Sequence, residues 1–286
     1  MKSGMRRTTA VLAIGAAVAL ASTTSAAAAP VPEGAAGYDS YVSLGDSFTS
    51  GPALPPVVNG LCGRSGANYP HLLADDLGAE LTDMSCGGAT TANIDQGPQG
   101  ANPVQVAGIG PETKLVTLSI GGNDEMLYAR LMMRCRMVAA RPHFLSNPCQ
   151  AALGWQIPGM LERTQAKVLR NIAAIHAKAP VAKVVLVGYP RIGGTEGTCA
   201  ALPVAPGDVP WMAQVEDGLS GAMEKAAEQD GNATFVDMHE PSTDHHACSA
   251  DPWVNGVVAG SDGAIGHPNA NGMRATADAI RAALGA

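Results

Sequence analysis

Lys114-Leu115-Val116-Thr117-Leu118-Ser119-Ile120 is a run of apolar and β-branched residues that stops at Gly121-Gly122. Its length, its β-branching and the paired glycines make it a strand running into a turn. Outward from it the chain alternates short strand-like runs with longer helical patterns. Tyr41–Leu44 and Leu81–Cys86 read as earlier strands, with a helix over Tyr69–Leu77 between them. Beyond it, Met160, Leu161, Val168, Leu169, Ile172 and Ile175 recur at helical spacing, which predicts an amphipathic helix up to about Lys178. Val181–Val187 and Thr234–Met238 are further strands. Met212, Val215, Leu219 and Met223 mark the helix between those two, and Met273, Ala277, Ile280 and Leu284 the closing helix. The alternation predicts an α/β fold with a parallel sheet covered on both faces. No internal repeat or linker splits the chain, so one domain is expected over 38–286. Such sheets place ligands at the carboxyl ends of their strands, so the residues just after each strand matter most.

Composition narrows the function classes. The 286 residues include 18 basic and 25 acidic side chains, for a net charge of −7. That balance argues against a nucleic-acid or anionic-membrane partner, since both need a basic footprint. With only 3 Trp, 5 Tyr and 3 Phe, an aromatic sugar platform or base-stacking surface is disfavoured. The length is ample for a core that needs no metal to hold it.

The first residues speak to compartment. Lys2, Arg6 and Arg7 precede the uncharged run Thr8–Ala21, and small residues follow up to Ala29. These are the parts of a secretory signal peptide, expected over residues 1–29, with 30–37 as a flexible Pro/Gly/Ala leader. The apolar run is too short for a membrane span and no other segment is long enough, so no stable membrane anchor is expected. Cleavage leaves about 257 residues with a charge of about −10, because three cations and no anions depart. Secretion changes how Cys62, Cys86, Cys135, Cys149, Cys199 and Cys248 read. An even number without a Cys-x-x-Cys pair, in an oxidising compartment, favours three disulfides over metal ligation. Spacing alone cannot choose among the possible connectivities, of which pairing of neighbours is the simplest.

Chemistry-bearing residues fall at the strand ends. Ser47 follows the first strand in Gly45-Asp46-Ser47-Phe48, Gly88 follows the second in Cys86-Gly87-Gly88-Ala89, and Asn123 follows the third in Gly121-Gly122-Asn123-Asp124. His267, in Gly266-His267-Pro268-Asn269, sits just before the last helix. Ester hydrolysis needs a nucleophile, a base and donors for an oxyanion. Ser47 suits the first and His267 the second. The N–H groups of Ser47 and Gly88 and the side-chain amide of Asn123 suit the third. Glycine at 88 removes the Cβ that would block close backbone approach. The Gly-x-Ser-x-Gly elbow of the α/β-hydrolases is absent from the sequence.

The order Gly-Asp-Ser, Gly, Gly-Gly-Asn-Asp and His-Pro resembles the SGNH (GDSL) hydrolase family, and most of all its secreted actinomycete lipase and esterase branch. The resemblance runs from about Tyr41 to Ala286. It implies a three-layer α/β/α, flavodoxin-like single domain with the roles just given. It also implies sequential disulfides, Cys62–Cys86, Cys135–Cys149 and Cys199–Cys248. In the family's usual last block an aspartate lies three residues before the histidine, where this chain has Ala264. Asp262, five residues before, is a poor substitute. The expectation is therefore a Ser47–His267 dyad whose imidazole Nδ1–H is held by a main-chain carbonyl, that of Ala264 or Ile265, with Ala264 as the working assignment.

Other features stay open. His239, Glu240, Asp244, His245 and His246 cluster, but Pro241 and the spacing speak for a solvated loop and no metal is expected. Trp253 either lines an acyl pocket or packs under the Cys248 loop. Met126, Leu127 and Leu131 fit an acyl wall or a core face equally. Asp46 is expected to hold a buried hydrogen-bonding position behind Ser47. The reading is a secreted, monomeric serine esterase/lipase acting on small-molecule or lipid esters of short to medium acyl chain, without a cofactor. Phospholipase or carbohydrate O-deacetylase action on the same scaffold is the alternative, and a non-catalytic binding protein a more distant one.

Overall fold

Strands β1 (Ser40–Gly45), β2 (Glu80–Asp83), β3 (Leu115–Ser119), β4 (Lys183–Val187) and β5 (Ala233–Val236) pair in parallel in the order β2-β1-β3-β4-β5. The order reverses between β1 and β3, the switch point where a doubly wound sheet opens its ligand crevice. The computed structural model describes Met1 and residues 37–141, 145–258 and 262–286. The expected signal peptide and the leader up to residue 36 lie outside the described residues.

Around the sheet stand α1 (Ser47–Ser50), α2 (Tyr69–Leu77), α3 (Thr91–Asp95), α4 (Ile157–Lys178), α5 (Val209–Asp230) and α6 (Ala270–Leu284). Alternation along β3 sorts them into layers, because successive strand residues face opposite sides. Val116, Leu118 and Ile120 share one core with Val168, Ile172 and Ile175 of α4 and Leu219 and Met223 of α5. Leu115 faces the other core, with Leu73 and Leu77 of α2 and Met273, Ala277 and Ile280 of α6. The result is a three-layer α/β/α domain. Each fully buried leucine or isoleucine contributes about 1.5–3 kcal/mol to holding it. Thr117 is the polar member on the second face, 2.7 Å from the Tyr41 hydroxyl and 3.2 Å from Ser43 Oγ, so burial leaves it partnered.

The helix over Tyr69–Leu77 has the bounds read from the sequence, while α4, α5 and α6 start three residues before their first apolar marker. Strands β2, β3 and β5 stop sooner than their apolar runs, β1 runs on to Gly45, and β4 starts at Lys183 but ends at Val187 as read. Ladder bonds nonetheless carry β2 onward: Met84 N–H donates to Ser43 and Cys86 N–H to Gly45, at 2.9 and 3.1 Å. The segment 127–139, which holds Leu127 and Leu131, read as either core or acyl wall, is helical throughout, with a π turn at Arg130–Arg134. The three disulfides are Cys62–Cys86, Cys135–Cys149 and Cys199–Cys248. Among the described residues no helix is long and apolar enough to cross a membrane.

Candidate active site

Where β1 ends, Asp46 caps α1, its Oδ1 accepting from Phe48 N–H at 2.9 Å. Ser47 is then the first helical residue, a position whose N–H has no partner within the helix. From 220 positions later, His267 brings Nε2 to 2.8 Å from Ser47 Oγ. Its Nδ1 lies 2.7 Å from the Ile265 carbonyl. A carbonyl only accepts, so Nδ1 carries the proton and Nε2 presents a lone pair to the serine. Burial holds the imidazole below its usual pKa, against the opposing pull of that carbonyl.

This geometry corrects the assignment to Ala264. The Ala264 carbonyl accepts the main-chain N–H of His267 at 3.3 Å, closing a tight turn with Gly266 at φ +67°. Glycine is the residue that turns of this kind demand at the third position. The turn consumes the Ala264 oxygen and leaves that of Ile265 for the ring. Asp262 is elsewhere, accepting from Ala270 N–H at 3.3 Å at the start of α6. Among the described residues no carboxylate forms an ion pair with His267.

The loops after β2 and β3 flank the serine. Cys62 grips the first of them twice, through its disulfide to Cys86 and by its carbonyl, which accepts Gly87 N–H at 2.8 Å. Gly88 has φ +79°, and a Cβ there would meet only Gln99 Nε2 at 3.6 Å. Backbone conformation is thus a sufficient reason for glycine, beside the expected close approach. Among the described residues neither Ser47 N–H nor Gly88 N–H donates a hydrogen bond. Asn123 gives one amide hydrogen to the Ala89 carbonyl at 3.0 Å, which fixes the amide and leaves its second hydrogen unused. Asp124 anchors this loop by accepting from Thr91 N–H and Oγ1 and from Lys167 Nζ, at 2.9, 2.7 and 3.0 Å.

Two supporting residues escaped the sequence reading. Tyr189 donates to Asp46 Oδ2 at 2.6 Å and accepts from Gly122 N–H at 3.0 Å, bridging the Ser47 and Asn123 loops. Burial pushes the Asp46 carboxyl up to about 7, although Tyr189 and Phe48 N–H both draw it down. Gln105 pairs both main-chain groups of Gly45, at 2.7 and 2.9 Å, holding the strand end that presents the serine. Tyr189 follows the end of β4 at Val187 more closely than Asn123 follows the end of β3 at Ser119, so the strand-end rule contains its signal.

Ser47, Asn123 and His267 open into a pocket of about 270 Å³ walled by Phe48, Tyr128, Met132, Val257 and Ile265. Gly88 is not among its lining residues. Leu127 and Leu131 belong to the core, each 1% exposed, and Met126 stands outside at 62%. Trp253 stacks on His245 at a ring distance of 4.2 Å, away from the pocket. His239 binds Asp217 at 2.6 Å, while His246 Nδ1 accepts from Cys248 N–H at 3.2 Å.

Comparison with known proteins gives the family. Residues 43–275 match the model of the GDSL-like Lipase/Acylhydrolase family. The chain belongs to that family. This GDSL enzyme is a carboxylic ester hydrolase of the lipase/esterase kind. It is 36% identical over 270 residues to Lipase 2 of Streptomyces coelicolor, covering 92% of this chain and 91% of the relative. The extracellular lipase of Streptomyces rimosus superposes with a TM-score of 0.69 at 26% identity, over 85% of this chain and 99% of that one. Phospholipase A1 of Streptomyces albidoflavus NA297 gives 0.66 at 28% identity, over 86% and 99%.

Proposed function

We propose that this GDSL enzyme is a secreted serine esterase that cleaves short- to medium-chain acyl esters through an acyl-Ser47 intermediate, with His267 as sole base. The carrying observation is the line Ile265 carbonyl, His267, Ser47, at 2.7 and 2.8 Å. Ser47 Oγ attacks the ester carbonyl carbon while its proton passes to Nε2. The oxyanion is received by Ser47 N–H, Gly88 N–H and the free Asn123 amide hydrogen. Collapse expels the alcohol, which takes the proton from His267. Water then attacks the acyl-enzyme, giving its proton to His267, and the acid leaves as Ser47 is restored. The Ile265 carbonyl fixes the tautomer but stabilises imidazolium less than a carboxylate would.

The pocket lies near the lower end of ligand-site volumes, which suits a short acyl chain better than a long one. Secretion is supported by the basic-apolar-small start, the three disulfides and the extracellular lipase among its structural relatives. Phospholipid acyl esters are the second reading. Arg136 favours it, lining the pocket without a carboxylate partner among the described residues. The test is turnover of p-nitrophenyl esters across chain lengths, with mass analysis after an organophosphonate. Acyl esters should turn over and wild type should gain one adduct at Ser47, with neither event in Ser47→Ala. Folded wild type that neither turns over nor labels ends the proposal.

A further inference from the structure

The sixteen residues 126–141 hold four of the chain's 18 basic side chains, four of its 12 methionines and no carboxylate. Met126, Arg130, Met133, Arg134, Met137 and Arg141 recur three and four positions apart, so on a helix they form one stripe. The fold turns this stripe outward, along a surface hollow of about 380 Å³, while Leu127, Leu131 and Cys135 take the buried side. The three methionines are 62%, 64% and 55% exposed. Arg134 and Arg141 are exposed too, and among the described residues neither meets a carboxylate. Elsewhere among the described residues Arg163, Lys167, Arg170, Arg191, Arg274 and Arg281 each pair with one, while Arg64, Lys114, Lys178, Lys183 and Lys225, which do not, are scattered along the chain. This one helical segment thus groups arginines that meet no carboxylate among the described residues with three exposed methionines.

That face runs into the catalytic pocket. Met133 lines the stripe's hollow, the pocket itself and a second hollow on the far side, and Arg136 lines the last two. The segment is also pinned, by the Cys135–Cys149 disulfide and by Arg130 donating to Gln156 at 2.7 Å.

We propose that this face docks the enzyme on an anionic lipid surface, with the arginines on lipid phosphates and the methionines in the acyl boundary. Its use in feeding esters to the pocket along Met133 rests on the esterase reading. Arginines and apolar side chains side by side on a helix are the composition of an interfacial segment, and arginine stems let the charge reach headgroups while their carbons stay apolar. The chain's net negative charge argues against attraction of the molecule as a whole to such a surface, but it does not decide for this one face, because charges are felt over about 8–10 Å in physiological salt.

The test uses Ser47→Ala protein, which leaves vesicles intact, in cosedimentation with phosphatidylglycerol or phosphatidylcholine vesicles. Binding should favour phosphatidylglycerol and weaken as salt is raised. Arg134→Gln with Arg141→Gln should weaken it about thirty-fold, at about five-fold per surface arginine. Met137→Ser should weaken it further without altering the salt dependence. With Ser47 intact, the arginine double variant should keep wild-type turnover of a soluble short ester. No binding to phosphatidylglycerol, equal binding to phosphatidylcholine, or unchanged binding by the double variant overturns the docking face. Loss of soluble-ester turnover in wild type would strike the esterase reading instead, and leaves the binding result standing.

Discussion

Tyr189 ties Asp46 to Gly122, donating to the carboxyl Oδ2 at 2.6 Å and accepting the main-chain N–H at 3.0 Å. One phenol thereby sets the distance between the loop that offers Ser47 and the loop that offers Asn123. Tyr189→Phe leaves a buried acceptor and a buried donor without that partner, which costs about 1–3 kcal/mol. We expect a matching loss in denaturant stability, and a fall in kcat larger than any change in KM. A Tyr189→Phe enzyme with wild-type kcat would show that the bridge does not set the site.

The orientation of His267 by a carbonyl separates it from Asp262. His267→Ala should lower kcat by roughly four orders of magnitude or more, as removal of a catalytic base does. Asp262→Asn, which only disturbs a bond to Ala270 N–H, should stay within about threefold of wild type. Steady-state kinetics on the two variants decide this. Comparable losses would make Asp262 a third member of the catalytic set.

Acid tolerance follows from the same ring. A base works deprotonated, and burial holds His267 below its usual range, so the working form persists to lower pH. The acid limb of kcat/KM should therefore have its midpoint below about 6.5, the value of an unperturbed histidine. A midpoint at or above that value contradicts the burial argument.

Ser47, Gly88, Asn123 and His267 were legible because each follows a recognisable strand or precedes a recognisable helix, where a doubly wound sheet puts its chemistry. The Tyr189–Asp46–Gly122 bridge was not: Ser47 and His267, though 220 positions apart, belong to one ordered set of blocks, whereas no block ties Tyr189 to Asp46 or to Gly122. Nor could sequence choose between the carbonyls of Ala264 and Ile265. That choice depends on which oxygen the Gly266 turn consumes. The spacing of Met126, Leu127 and Leu131 was equally ambiguous, and the three proved different: Leu127 and Leu131 are core, while Met126 faces out.

The Cys62–Cys86 bridge should matter to activity as well as stability. It closes a sequence separation of 24, worth about 3 kcal/mol in unfolded-chain entropy. It also lies beside Gly87, which donates to the Cys62 carbonyl and whose neighbour Gly88 is a donor to the oxyanion in the proposed mechanism. Cys62→Ser with Cys86→Ser should lower the unfolding free energy by about that amount. It should also cut kcat well below the melting transition. Full kcat in the folded double variant would mean that the Gly87–Gly88 loop holds its position without the bridge.

Asp46 makes stability fall with rising pH. Its carboxyl titrates at about 7 in the folded protein and near 3.9 when unfolded, so between those values the folded state holds a proton that the unfolded state releases. The contribution is complete below about pH 3.9 and is lost as pH rises through 7. Asp46→Asn is neutral throughout and lacks this dependence. Relative to Asp46→Asn, wild type should lose up to about 1.4 kcal/mol of unfolding free energy per pH unit across that window, and nothing more above it. Urea melts of both proteins at several pH values measure the difference. Parallel curves between pH 5 and 7 would mean that Asp46 stays ionised behind Ser47, held so by Tyr189 and Phe48 N–H in spite of its burial.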